Sequence, residues 1–564
     1  MKFNEIKYER VNLKEFKKHM LELNKKFKNA NSYEESKKIM DQIDEYTNDQ
    51  MTTITYANIM NSIDTANEFY DKEVKYYNSA LAKLSGFFKK ISKDFVNSKF
   101  KDDYIKNGYE LDVKEAEIEI KNAKKSIILP TIKSSMLEME YSKIVAQAKT
   151  DFNGQSLNFY GLLKEMQNPD RDVRKKALKA WSDLYESISP KLDDIYHKLV
   201  QIRCKIAKKL KYPDYQSLVY DQRSIFDYNR EDLKKFKDAV IKYIVPECTK
   251  QFDEQRKRLG LDHLYFYDES LFFPEGAIVP IGTTEELVEK ANQMYNEMSK
   301  ETGEFFTFMK ENQFFDLETK PNKAGGGFCA DLPKYKATFI FSNFNGTSAD
   351  VDVLTHEAGH AFAAYTGFRG EKDIYAQNKM TSDIAEIHSM SMEHFAYPYM
   401  EKFFEEKADK YRYYHLTTAL TTIPYLCAVD EFQTRVYQNP NATPNELRAM
   451  WHDIEKIFLP WRDYDDCKFL NEGGFWMQKQ HIFLYPFYYI DYALSQICAF
   501  QFYQRETINH EETWKDYYKL CQIAGKQGYL KTLELVNLKS PFDENTIKET
   551  IDFIVKKIDE LKTE

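Results

Sequence analysis

Apolar residues recur at spacings of three and four through most of this chain, the period of an amphipathic helix. "LKEFKKHMLELNKKFKNA" from Leu13 and "YEESKKIMDQIDEYTNDQMTTITYANIM" from Tyr33 both show it, and "EAEIEIKNAKKSIIL" carries the pattern on towards residue 150. A further helix is predicted from Asp172 in "DVRKKALKAWSDLYESI", behind Pro169. Pro190 should end it, because proline lacks the amide proton that a helix needs. The texture changes at "HLYFYDESLFF" from His263, which reads as a short strand or an irregular segment. Helical spacing returns in "TEELVEKANQMYNEMSKETGEFFTFMKEN", with Thr284 and Glu286 at its acidic start. There is no repeat of fixed period and no low-complexity linker. The fold class predicted is mainly α, with an N-terminal helical lobe over 1–190 packed closely on a second region over 191–564.

One stretch departs from this monotony. It opens on three glycines, Gly325, Gly326 and Gly327, and continues into "ATFIFSNF" at 337–344, the clearest strand pattern in the chain. Asn345-Gly346 is a turn signal. Thr347 and Asp350 have the spacing of a capping box, so a helix should begin near Ala349 and stop at Gly367. That helix carries "HEAGH" at 356–360. Two histidines four apart lie on one helical face, so both imidazoles can reach one tetrahedral ion. The glutamate between them, Glu357, can take a proton from a water that the ion activates. The surrounding positions, Val353, Leu354, Ala358, Ala361 and Phe362, are apolar. Two histidines and a glutamate on a buried face need partners, since unpaired burial of a carboxylate is costly.

Composition narrows the classes. The chain has 564 residues, more than one hydrophobic core usually serves. Only 19 Gly and 16 Pro interrupt it, which favours helix. The 40 Tyr and 40 Phe suit cores and cleft linings. A net charge of −9 argues against a nucleic-acid partner. The seven Cys are scattered, without CxxC, so no disulfide framework is expected. With no apolar leader at the N-terminus and no long apolar run, no membrane association and a cytoplasmic location are expected.

A catalytic zinc site needs a third protein ligand. The extension HExxHxxGxxH is excluded, because positions 363 and 366 are Ala and Thr. The alternative is a carboxylate from a second helix. "TSDIAEIHSMSMEHFAYPYM", 381–400, is predicted as that helix, capped by Thr381 or Ser382. Glu386, Glu393, His388 and Asp383 are its candidate ligands, and spacing does not choose among them.

Three ordered blocks resemble one family. "FIFSNFNGTSADVDVLTHEAGHAF", "AEIHSMSME" and "QHIFLYPFYYIDYAL" are similar to the oligoendopeptidase F branch of the thimet oligopeptidase family. The resemblance implies one zinc ion on His356, His360 and Glu386, with Glu357 as general base. It implies two helical lobes around a deep channel, a small sheet beside the metal helix, and short unstructured peptides as substrates. The region 191–564 then becomes the catalytic part. In some zinc peptidases an Asp one turn beyond the ligand glutamate orients a histidine; that position is Met390 here, so the duty falls elsewhere, with Asp352 and Glu393 as candidates and an ordinary polar role as the alternative for each.

Peptide hydrolysis also needs donors for the developing oxyanion. "NEGGFWMQKQHIFLYPFYYIDY" offers His481, Tyr485, Tyr488, Tyr489 and Tyr492. The resemblance supports His481 with tyrosines among these, and Tyr485, Tyr489 and Tyr492 are preferred to Tyr488. Gly473 and Gly474 suggest a loop that closes on substrate. The strand 337–344, if it is an exposed edge, would pair with an extended peptide through Phe341, Ser342, Asn343 and Gly346. The expected activity is zinc-dependent endopeptidase action on oligopeptides. A zinc carboxypeptidase, or a helical scaffold with a structural metal, are the alternatives.

Overall fold

Helices Leu13–Lys28 and Tyr33–Ile63 start where the apolar spacing places them, and each has a side-chain cap. Asn12 accepts from the amides of Lys14 and Glu15, and Ser32 from that of Glu35. The computed structural model describes residues 2–370 and 380–562. The pattern expected to run on to residue 150 is interrupted. Helix Glu110–Asn122 ends at Ala123, a 3-10 turn Lys125–Ile127 follows, and helix Ile128–Gln147 begins anew. A hairpin then forms from β1 (Thr150–Phe152) and β2 (Gln155–Leu157). Its turn is Asn153-Gly154, both at positive φ, the pair that two-residue hairpins favour.

Pro190 does not end its helix, which runs from Arg171 to Leu210. The Ser189 hydroxyl donates to the Glu186 carbonyl at 2.9 Å, the acceptor that Pro190 leaves without an amide. The aromatic segment after His263 is irregular, with one 3-10 turn at Phe266–Asp268. Asp268 is wholly buried there, and Arg171 and Arg174 bond to it. The helical stretch after 283 is two helices, Thr284–Met298 and Lys300–Glu311. Thr283, not Thr284, caps the first in a capping box with Glu286. Ser299 separates the two and caps the second.

The chain forms two compact units, each assembled from three stretches. The first comprises Met1–Ala123, Val279–Ala408 and Cys498–Lys539; the second comprises Lys124–Ile278, Asp409–Ile497 and Ser540–Glu564. The expected division at 190 therefore falls within one helix of the second unit, and no single cut in the sequence separates the two.

In the first unit a three-stranded sheet forms from β3 (Phe315–Glu318), β4 (Phe328–Leu332) and β5 (Ala337–Phe344), in the order β3-β5-β4. β5 pairs parallel to β3 and antiparallel to β4, with Phe328 opposite Phe341 and Leu332 opposite Ala337. Along β5 every residue but Asn343 is buried, which explains its near-continuous apolar run. All seven cysteines are unpaired. No helix among the described residues is long and apolar enough to cross a membrane.

Candidate metal centre and active site

The turn after β5 sets the start of the HEAGH helix. Gly346 has φ +82°, a conformation that suits glycine. The Asp350 carboxylate reaches back to accept from the amides of Asn345 and Gly346, at 3.0 and 2.8 Å. Thr347 spends its hydroxyl on the Asn345 side chain instead. The helix thus begins at Ala349 and ends at Gly367 as predicted, but Asp350 fastens the turn and no capping box forms. The second helix is Ser382–Phe395, with Thr381 at its N-cap. The Thr381 hydroxyl bonds to Asp383 and does not cap.

Gly359, inside HEAGH, decides how near these helices come. A Cβ there would lie 2.6 Å from Ser389 Cα and 2.7 Å from the His388 carbonyl oxygen. Only a residue without a side chain fits. The close approach brings Glu386 Oε2 to 3.3 Å from His356 Nε2 and 3.5 Å from His360 Nε2. The three donor atoms lie within 4.8 Å of one another. Ion–ligand bonds of roughly 2.0–2.1 Å in tetrahedral geometry would separate neighbouring donors by about 3.3 Å. Two imidazole nitrogens and one carboxylate oxygen at these spacings fit a divalent ion with one position left open.

The candidate donors are themselves held. His356 Nδ1 bonds to Glu393 Oε1 at 2.6 Å, so Nε2 is the nitrogen turned toward Glu386. Glu393, one of the two candidates for orienting a histidine, makes this contact. The Ser389 hydroxyl donates to Glu386 Oε2 at 3.0 Å. Burial opposes ionisation of Glu386, but His360 and His356 outweigh it and hold its pKa below the usual carboxylate range. Burial likewise opposes charge on His356, yet Glu386 and Glu393 raise its pKa well above the usual value. A proton and a metal ion thus compete for that ring. Glu357 is buried, and burial raises its pKa against the pull of the two histidines. His388 and Asp383, the other candidate ligands, stand outside the donor group. His388 is fully buried, which pushes its pKa down to about 4, and its carbonyl accepts from the Tyr517 hydroxyl.

The strand beside this helix corrects one expectation. β5 is the central strand, with β3 and β4 on its two sides, so it has no free edge for a peptide. Phe341 is fully buried, Ser342 nearly so, and the Asn343 side chain donates to the carbonyls of Ala324 and Gly326. Gly346 belongs to the turn. The sheet's outer strand on the glycine-rich side is β4. Gly327, just before it, matters for a different reason: a Cβ there would meet Glu357 Oε1 at 3.6 Å and Val353 at 3.2 Å.

His481 and the tyrosines lie in the second unit and form their own cluster. His481 sits in a short helix, Gln480–Leu484. Its ring centroid is 4.7 Å from Tyr489, 5.9 Å from Tyr485 and 6.0 Å from Tyr488. Tyr492 packs on both Tyr488 and Tyr489. Tyr485 is 57% exposed. Phe487 has φ +63°, unusual for so bulky a residue. Gln433 accepts from its amide and Arg223 donates to its carbonyl, so the kink that aims Tyr488 and Tyr489 is fastened from both sides. Gly473 and Gly474 do not form the closing loop expected of them. A Cβ on Gly473 would collide with the Arg448 carbonyl, and one on Gly474 would lie 2.5 Å from the Phe469 ring. They allow tight packing.

Comparison with known proteins decides the family. The model of peptidase family M3 matches residues 165–543, and that of the peptidase M3 N-terminal domain matches 3–123. The chain belongs to peptidase family M3. PZ peptidase A, solved with an inhibitor, is 40% identical over 99% of both chains, with a TM-score of 0.93. An oligoendopeptidase F structure is 39% identical over 99% of both chains, with a TM-score of 0.93. Another, from Bacillus anthracis, is 38% identical over 100% of this chain and 99% of that one, with a TM-score of 0.88. No curated protein matches. This M3 peptidase is therefore a mainly helical metalloendopeptidase of the oligoendopeptidase F type.

Within the M3 chain, three functional positions escaped the sequence reading. Gly359, Gly327 and Ser389 act through what they leave empty or quietly hold. Gly359 is part of the motif itself, and the only signal available was a glycine in mid-helix, which costs stability unless packing needs it.

Proposed function

We propose that this protein is a zinc-dependent endopeptidase that cleaves internal bonds of short, unstructured oligopeptides. The observation that carries this is the donor triangle of His356, His360 and Glu386, with Glu357 beside it on the same helix. An ion held there supplies Lewis acidity toward water and the scissile carbonyl, and a single zinc suits two imidazoles and one carboxylate. Glu393 keeps His356 in the tautomer that offers Nε2. Glu357, with its basicity raised by burial, takes the proton of the attacking water on a carboxylate oxygen. It then returns that proton to the leaving nitrogen. Gly327 keeps the space beside Glu357 Oε1 clear. The outer edge of β4, Phe328–Leu332, offers backbone groups to an extended peptide, independent of side-chain sequence. His481, Tyr485, Tyr489 and Tyr492 are the proposed donors to the oxyanion and substrate. The partners are peptides, not nucleic acid or membrane, and the site of action is the cytoplasm.

The test is cleavage of a small panel of oligopeptides, with and without a chelator, read by product masses. Internal cuts that stop on chelation and return with zinc support the proposal. Release of single C-terminal residues would replace it with an exopeptidase, and no cleavage would favour a scaffold.

A further inference from the structure

β4 turns side chains of its own towards the HEAGH helix. Successive residues of a strand face opposite ways, so Gly327, Cys329 and Asp331 share one face. Three observations identify that face as the one turned to the helix. A Cβ on Gly327 would meet Val353 and Glu357. The Cys329 thiol feels the charges of Asp331 and Glu357. The Asp331 carboxylate feels that of His360. Strand and helix therefore lie side by side within the first unit, with Gly327 near Glu357 and Asp331 near His360.

Asp331 is the unusual member of this row. It is part-exposed, yet burial pushes its carboxyl up to about 6. A group that water reaches while protein surrounds it lies in a crevice. Among the described residues no hydrogen bond or ion pair holds it, and only His360 pulls against its burial. Asp316, on β3 of the same sheet, differs in this respect, since Lys320 and Lys323 both pair with it. An imidazole that ligates a metal is neutral, so His360 in that role does not balance Asp331. A divalent ion on the donor triangle offsets only two of the three carboxylates Glu357, Glu386 and Glu393. Asp331 thus adds negative charge to a site that already carries an excess of it.

We propose that Asp331 is a specificity-determining residue, which selects peptides that carry a cationic side chain, lysine or arginine, where they lie along β4. A peptide added to the outer edge of β4 places one residue opposite Asp331, with its Cβ about 5 Å away on the same face. Lysine or arginine there supplies the missing charge. Glutamate meets a like charge, and an apolar residue covers the carboxylate without pairing it. Along a strand Gly327 and Asp331 are about 13 Å apart, so the selected residue stands about two to four positions from the bond that is cut. The proposal rests on the peptidase reading above and adds a substrate class to it.

Quenched fluorescent octapeptides, identical except for Lys, Glu or norleucine placed at each position in turn, test this on the zinc-loaded full chain, with product masses locating the cut. The expected result is one position, about two to four residues from the cut, at which Lys exceeds norleucine by about tenfold in kcat/KM and Glu falls below both. The Lys-to-norleucine ratio should approach one in Asp331→Asn, and the order of Lys and Glu should invert in Asp331→Lys, two variants in case one fails to fold. Asp331→Asn should also keep its zinc by elemental analysis; loss of the metal would make Asp331 a support for His360 and overturn the proposal. No Lys-preferring position, or a ratio that survives in both variants, would overturn it while the cut norleucine peptides leave the peptidase reading standing. Failure of the wild-type protein to cleave any peptide would overturn both.

Discussion

Replacing Gly359 by alanine tests how the metal centre is built without touching a ligand. The added Cβ would stand 2.6 Å from Ser389 Cα, where ordinary contact begins at 3.4 Å. The helix Ser382–Phe395 must then retreat by about 0.8 Å, because the obstacle is backbone and cannot rotate away. Glu386 rides on that helix. Metal–ligand distances tolerate only about 0.2 Å, so the donor spacings of 3.3 and 3.5 Å would open beyond what one ion can bridge without strain. Overpacking of this kind costs about 1–3 kcal/mol of stability. We expect zinc affinity to fall by at least tenfold in competition with a chromophoric chelator, together with a lower Tm. Gly325→Ala is the control, since nothing lies within 4 Å of a Cβ there. If Gly359→Ala binds zinc as tightly as the wild type and melts at the same temperature, the close helix approach does not set the ligand geometry.

Glu393→Gln removes the charge that fixes His356 and should weaken zinc binding by about tenfold to a hundredfold while sparing the fold; unchanged affinity in a chelator titration would reassign that contact as incidental. Glu386→Ala should lose its metal on dialysis, and full retention by elemental analysis would move the third ligand elsewhere. Glu455 is 6% exposed, and burial pushes its pKa up to about 7 from the usual 4.5. The folded state therefore holds that proton more tightly than the unfolded chain, so the stability it contributes is complete below about pH 4.5 and is lost as pH rises through about 7, by up to about 3 kcal/mol. Glu455→Gln should flatten the fall of Tm between pH 5 and 8, and parallel curves for variant and wild type would contradict the assignment.

Much of this was legible in the sequence, for reasons that are local. The helix boundaries at Leu13, Tyr33, Ala349 and Gly367, and the strand 337–344, follow from side-chain periodicity and turn residues, which short-range physics enforces. The pairing of His356 with His360 on one face was legible because four residues is about one helical turn. What was hidden depends on long-range packing. A buried apolar run cannot say whether a strand is central or an edge, and β5 proved central. Pro190 looked like a stop because nothing in the pattern shows that Ser189 satisfies the freed carbonyl. Gly473 and Gly474 looked mobile because a glycine chosen for close approach and one chosen for freedom are the same letter. Two units were expected from the sequence, but their boundaries were not legible, since each is sewn together from three distant stretches.

The central claim is that His356, His360 and Glu386 hold a metal while Glu357 moves the proton. The most direct measurement is Glu357→Gln, assayed in one preparation for zinc by elemental analysis and for peptide hydrolysis by product mass. The account predicts one zinc per chain and a loss of nearly all turnover. Full zinc with undiminished cleavage would show that the proton is carried by some other group.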